Sequence, residues 1–170
     1  MRFGWLTLSL SSSPHEDKQN IDNVLIQAQE AERLGFEDVW LTEHYFTGES
    51  VYNDSLLFAA ALAMKTKKIR IGFSVVQMPF HHPVRLATQL ALLDNLSNGR
   101  IDVGVGKGTV FNEYEFIGHG LRSEDSPQRA KEGFEILEKA WKGGRFSHKG
   151  HFYDIEAVSY THLTLPTSPK

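Results

Sequence analysis

The amino-acid sequence predicts a parallel α/β fold built from repeated strand–helix units. Apolar stretches of strand length alternate four times with segments whose apolar residues recur at helical spacing. The strand segments carry apolar residues on both faces, as a covered parallel sheet requires, and the connections are short. A doubly wound sheet and a (β/α) barrel share this pattern, so periodicity alone leaves both open.

Length and composition limit the class of protein. The 170 residues favour one domain and are fewer than the roughly 250 of a complete eight-unit barrel. Hydrophobic residues make up 41% and charged residues 23%, which is typical of a globular chain with an apolar core. The 18 basic residues against 21 acidic ones argue against nucleic acid as a partner.

The absence of cysteine leaves the compartment open and is compatible with a reducing one. There is no cysteine, which excludes a disulfide, a thiolate metal ligand and a cysteine nucleophile. No apolar run reaches the length of a membrane helix, and the apolar start is too short for a signal segment. We therefore expect a cytoplasmic protein that does not enter a membrane.

The first two units are predicted from period and capping residues. Residues 3–10 favour a strand, and the apolar positions of 21–34 favour a helix that ends at Gly35. Residues 38–41 form the second strand, and 56–64 form the second helix. Its capping candidates are Asn53, Asp54 and Ser55.

The third and fourth units follow the same order. The third strand spans residues 69–76 and leads into a helix between Pro83 and Gly99. The fourth strand spans 101–105, and its helix begins at Ser126-Pro127 and ends before a pair of glycines. Four such units predict four parallel strands.

The pattern changes after the fourth helix. Residues 145–153 predict a β-hairpin with Lys149-Gly150 at or near the turn. Residues 158–170 are rich in Thr, Ser and Pro, which fits a disordered tail, but residues 158–163 also resemble a translated sequencing adapter. We assign residues 1–157 to the domain and treat 158–170 as a non-native tail.

Binding residues of a parallel sheet follow the carboxyl ends of its strands. Glu43 and His44 follow the second strand, where they either pair within the loop or exchange protons near neutral pH. His81 and His82 follow the third strand, and for each a capping or surface role is an equal alternative. Residues 74–76, at the end of that strand, are small or β-branched and would let a flat ring approach the backbone.

A glycine-rich segment follows the fourth strand. In residues 104–108, glycines would let backbone N–H groups approach a phosphate or a ring, and Lys107 adds a positive charge. The segment matches neither the dinucleotide motif nor the P-loop, and a purely conformational role for its glycines stays open. Residues 122–129, before the fourth helix, supply caps and indicate a structural role.

Five segments in this order resemble the bacterial-luciferase-like flavin monooxygenases. They are residues 1–4, 39–46, 79–85, 92–100 and 104–108. The resemblance implies a TIM (β/α)8 barrel, of which the chain holds the first four units and the start of an insertion hairpin. It also implies reduced FMN as co-substrate, with a deazaflavin as the less favoured alternative, and a flavin reductase that supplies it. O2 would form a flavin 4a-hydroperoxide that oxygenates a small aldehyde, ketone or alkene.

The resemblance also implies roles for particular residues. His44 matches the family's catalytic histidine, and Ser74-Val75 is the candidate for a cis peptide. Lys107 stands where the luciferase α chain carries Arg, and Gly106 stands where it carries a reactive Cys, so bioluminescence is not implied. The implied cofactor-binding residues are Glu43, Ser74, Val75, Gly106 and Lys107.

Two other classes of protein fit the same residues, and two further expectations concern the incomplete barrel and the oligomeric state. A metal-dependent hydrolase would use Glu43 and His44 with His81 or His82, although we expect no metal site; a non-catalytic interaction protein is the other alternative. Four strands cannot close a barrel, so we expect an incomplete, inactive fragment. Helix 56–64 is apolar all round, which favours a homodimer of the complete protein with Phe58 facing outward.

Overall fold

A computed structural model of the chain describes residues 1–160. Four strands form one sheet in the order β1-β2-β3-β4, with parallel pairing. The strands are β1 Gly4–Thr7, β2 Asp38–Leu41, β3 Arg70–Gln77 and β4 Ile101–Gly106, and the helices are α1 Asp17–Arg33, α2 Ser55–Lys65, α3 Pro83–Ser97, α4 Glu113–Gly118 and α5 Ser126–Lys142. An antiparallel hairpin, β5 Gly144–Lys149 and β6 Asp154–Tyr160, follows α5.

The four predicted strand–helix units are confirmed, with two differences. β1 ends at Thr7 instead of continuing to residue 10, because Ser9 has a φ of 48° and leaves the extended conformation. α4 lies between β4 and α5 and was not predicted. Its six residues are too few for a helical period to stand out in the sequence.

The chain divides into two compact units. The first comprises residues 1–76 and 96–105, and the second comprises 77–95 and 106 onward. In the first unit the central strands are buried. Its fully buried large side chains include Leu41, Leu62, Ile69, Ile71 and Phe73. The second and third strands thus contribute most of the buried strand residues of this unit.

The turn between α2 and β3 is held by two charged side chains. The Glu32 carboxylate accepts N–H bonds from residues 67–69. Burial raises the pKa of Glu32, but these bonds outweigh it and lower the pKa below its usual value. The buried Arg100 guanidinium donates hydrogen bonds to the carbonyl oxygens of Ala63, Ile69 and Ser97. It also donates to the hydroxyl and the carbonyl oxygen of Thr66. Residues 92–100, one of the segments that carry the family resemblance, thus end in a structural arginine.

One face of the sheet carries a row of residues in register. Leu6 pairs with Trp40, which pairs with Gly72. A Cβ on Gly72 would lie 2.3 Å from the Trp40 ring, so only glycine lets the indole lie flat over β3. Leu6 is 52% exposed on this face.

The hairpin of the second unit is attached to α5. Glu132 accepts N–H bonds from residues 151–153, and its Oε1 lies 3.1 Å from His148 Nε2. The predicted turn at Lys149-Gly150 begins where β5 ends, although the connection is longer than two residues. Beyond the predicted boundary at 157, β6 continues for three residues, and Val158 pairs with Phe146. The rest of the predicted tail, 161–170, lies outside the described residues.

The surface of α2 differs from the prediction. Phe58 does not face outward: it is 6% exposed and stacks on Tyr52 at a centroid distance of 4.7 Å. Its aromatic ring is buried because it packs against Tyr52, which lies in the loop that precedes the helix. The outward apolar residues are Leu57 and Met64. Among residues 1–160 no helix is long and apolar enough to cross a membrane.

Candidate active site

The loops that follow β1 and β2 are joined by hydrogen bonds. Ser11 N donates to Gly48 O at 2.8 Å, and Val51 N donates to Ser9 O at 3.1 Å. A Cβ on Gly48 would lie 1.9 Å from Ser11 O, so the close approach of the loops requires glycine there. The loop that contains His44 is therefore held in place by the loop after β1.

His44 lies in this loop beside two acidic residues. Glu43 is 2% exposed, and its Oε1 accepts a hydrogen bond from the Tyr45 hydroxyl at 2.7 Å. Glu49 Oε2 lies 3.7 Å from His44 Nδ1. Glu49 was not among the predicted site residues, since nothing in its spacing marks it. His44 itself is partly exposed, so its imidazole is reachable from solvent.

Phe46 has an uncommon backbone conformation next to this group. Its φ is 66°, a left-handed value that is rare for an aromatic residue. Its exposed side chain borders a cavity of about 410 Å³. The other lining residues come from the two joined loops and from the start of α1, and include Ser12, Pro14, Asp17, Thr47 and Asn53. Such strain is found most often at functional sites.

The end of β3 has the predicted backbone feature. The Ser74-Val75 peptide bond, which the resemblance made the candidate, is cis. Ser74 is exposed and Val75 is half-buried. A Cβ on Gly104 would lie 2.5 Å from Phe73 O, so β4 approaches the end of β3 more closely than a side chain would allow.

The end of β4 leads into the second unit. β4 ends at Gly106, and Lys107 follows with an exposed side chain. The Lys107 carbonyl accepts a hydrogen bond from the hydroxyl of Ser126, the first residue of α5. A cavity of about 270 Å³ opens beside this contact. It is lined by Lys107, Gly108, Thr109, Phe116, Ser123, Ser126 and Pro127.

The adjacent histidines after β3 have structural contacts in the second unit. His81 O accepts a hydrogen bond from the Tyr153 hydroxyl at 3.5 Å, and the His82 ring meets the Tyr153 ring edge-on. Arg129, in the segment expected to be structural, lies over the Phe152 ring at 4.6 Å. Within residues 1–160 no group of three or more His, Asp or Glu side chains is placed to hold a metal ion.

These groups define a chemical class. An imidazole follows β2 of a parallel sheet, and a glycine–lysine segment follows β4. The imidazole can exchange a proton near neutral pH, and the ammonium can pair with an anion. Strand-end groups of this kind are typical of a (β/α)-barrel enzyme.

The comparisons with known proteins name the family. Residues 1–169 match the family described as luciferase-like monooxygenase, so the chain belongs to this family. It is 34% identical over 156 residues to the oxygenase component of flavin-dependent trigonelline monooxygenase from Acinetobacter baylyi (strain ATCC 33305 / BD413 / ADP1). That match covers 91% of this chain and 43% of the relative.

Solved structures confirm the fold prediction. Monooxygenase RslO1 from Streptomyces bottropensis matches 98% of this chain and 51% of its own, with a TM-score of 0.89 and 32% identity. The oxygenating constituent of 3,6-diketocamphane monooxygenase from Pseudomonas putida, in complex with FMN, matches 95% and 44%, with a TM-score of 0.82 and 25% identity. The chain has the luciferase-like α/β fold and spans about half the length of the relatives that it matches.

Proposed function

We propose that this chain carries the catalytic histidine and part of the cofactor site of an FMN-dependent monooxygenase. The protein would use reduced FMN and O2 to oxygenate a small organic substrate such as an aldehyde, ketone or alkene. The observation that carries the proposal is the position of His44 beyond β2, in a chain of the luciferase-like monooxygenase family. The FMN in the diketocamphane enzyme and the flavin in the name of the trigonelline relative support this cofactor over a deazaflavin.

The residues present fit the chemistry of FMN. The phosphate needs a cation, and Lys107 presents an exposed ammonium. A flat ring can pack against backbone that small side chains leave accessible. Ser74 is small and exposed, so the backbone at Ser74-Val75 offers such a surface. Glycine at position 106 adds no side chain that would keep a ligand away. When bound, reduced FMN supplies the electrons that activate O2.

His44 would act as the proton donor and acceptor. Its imidazole can take up a proton and return it at neutral pH. Glu49, 3.7 Å away, can orient the ring or stabilise its charged form. Glu43, which the resemblance places at the cofactor, would act from its buried position through the loop that it shares with Tyr45. Both acids thus support the histidine from the same loop.

The active protein would contain more than these four units. The exposed Leu6 and the half-length match to the relatives support four further βα units that complete the barrel. This chain alone would not oxygenate substrate. Because the trigonelline relative is named an oxygenase component, we also propose a separate flavin reductase as the supplier of reduced FMN.

Flavin titration of the complete gene product tests the cofactor. Lys107→Met is expected to raise the FMN Kd about tenfold and to leave the Kd of riboflavin unchanged, because only FMN has the phosphate. Fluorescence quenching measures both constants, and Lys131→Met, at an exposed lysine on α5, is the control. Product formation with reduced FMN and air tests the activity. Equal weakening of FMN and riboflavin would contradict the role of Lys107, and a protein that binds neither would contradict the function.

The homodimer is proposed to form through the outer face of α2. Leu57 is 73% exposed, and Met64 extends the same apolar surface. Leu57→Glu should place a charge in the interface and convert the complete protein to monomers, as measured by light scattering. Ile26→Glu, at an exposed position on α1, should leave the mass unchanged. A Leu57→Glu protein that keeps its dimeric mass would exclude this face.

A further inference from the structure

Glu115 is a fully buried acid in the second unit. It is 0% exposed, whereas Glu113 and Tyr114 on the same short helix are exposed. Its Oε2 accepts hydrogen bonds from Gln77 Nε2 at 3.2 Å and from Asn112 Nδ2 at 3.3 Å. Burying a carboxyl group is costly unless such bonds replace water. The two amides thus compensate the burial of Glu115.

The same two amide side chains lie in or next to loop 107–112, which joins β4 to α4. Asn112 is the last residue of this loop, and Gln77 Oε1 lies only 2.8 Å from where a Cβ on Gly108 would be. Gly108 passes through this narrow space with a φ of 79°. At the other end of the loop, Ser126 donates to the Lys107 carbonyl. The loop is therefore held at its start, next to its glycine and at its end.

We propose that Glu115 is a positioning residue for Lys107. By holding Gln77 and Asn112 it fixes loop 107–112, and so it fixes where the Lys107 ammonium can meet a phosphate. This inference rests on the proposed FMN function. Glu115 acts through the loop and does not itself contact the cofactor.

The direction of the change in FMN affinity distinguishes a positioning role of Glu115 from direct electrostatic repulsion. A carboxylate near an anion opposes its binding, so a purely electrostatic effect of Glu115 would make FMN bind more tightly when the carboxyl group is removed. Loss of the acceptor frees the loop and weakens FMN binding. The two effects oppose each other, and an affinity measurement tells which is larger.

Three variants of the complete gene product test the proposal. Glu115→Leu has a similar size and no acceptor, and it is expected to raise the FMN Kd about tenfold with no change for riboflavin. Glu115→Gln keeps a carbonyl oxygen that can accept both N–H bonds, and it should restore most of the affinity. Glu113→Leu removes the same charge from an exposed position of α4 and should leave FMN binding unchanged or slightly tighter.

Hydrogen exchange of the flavin-free protein provides a second measurement. Amides of loop 107–112 should exchange faster in Glu115→Leu and close to the wild-type rate in Glu115→Gln, with α5 unchanged in both. Unchanged exchange of the loop, tighter FMN binding, or equal weakening of FMN and riboflavin would each overturn the proposal. A wild-type protein that binds no flavin would refute the proposed function, while the exchange rates would still decide whether Glu115 orders the loop.

Discussion

Replacing His44 with glutamine is expected to lower the rate of oxygenation by about a hundredfold or more, because general acid–base catalysis contributes that much or more. Glutamine keeps the polar character and much of the size of histidine but cannot exchange a proton at neutral pH. FMN binding should stay close to the wild-type value, because the proposed role of His44 is proton transfer. Single-turnover oxygenation with reduced FMN measures the rate, and fluorescence titration measures the binding.

The matched control for His44 is another histidine of the first unit. His15 is exposed in the loop between β1 and α1, so His15→Gln changes the same chemistry in a neighbouring loop. Its oxygenation rate should equal that of the wild type. If His44→Gln keeps the full rate, the proton must pass through another group, and the proposed catalytic role is wrong.

Replacing Arg100 with methionine is expected to lower the free energy of unfolding by about 3 kcal/mol, because several buried carbonyl groups lose their donor at once. Arg100 holds the end of α2 and the start of β3 through Ala63 O and Ile69 O. Methionine fills much of the same volume but donates nothing. Urea unfolding of the complete gene product, followed by circular dichroism, measures the change.

Two further variants serve as controls for the stability of Arg100→Met. Arg33→Met removes an exposed guanidinium whose pair with Glu30 spans 2.6 Å, and it should leave the free energy of unfolding unchanged within the error of the measurement, because solvent screens an exposed pair. Arg100→Lys keeps the charge without the planar fork and should fall between the two. If Arg100→Met and Arg33→Met lose the same stability, the buried hydrogen bonds of Arg100 contribute little.

The predicted elements depend on local properties, which explains why they were largely correct. β2 is found at residues 38–41 as predicted, and Asp54, one of three capping candidates, accepts the N–H bond of Leu57. Period and capping act within a few residues, so a single sequence contains the information. The family resemblance added the cis peptide at Ser74-Val75, which no local pattern predicts.

Contacts that form only on folding explain the errors and omissions. Phe58 was expected to face outward because α2 is apolar all round, but Tyr52 from the preceding loop covers it. Glu49 and Glu115 were missed, since an isolated acidic residue has the same appearance on a surface and in a site. Their meaning depends on what lies beside them: His44 in one case, two amides in the other.

The class of fold, the four strand–helix units and the segments that identify the luciferase-like family could therefore be predicted from the sequence alone. Apolar period, caps and glycines are properties of neighbouring residues, and they require no knowledge of distant contacts. The support that Arg100 gives to the turn between α2 and β3, and the burial of Glu115 against Gln77, became apparent only in the folded structure. A buried polar group acquires its role from the partners that folding brings to it, and several of those partners, such as Gln77 for Glu115 and Ile69 for Arg100, lie far away in the chain.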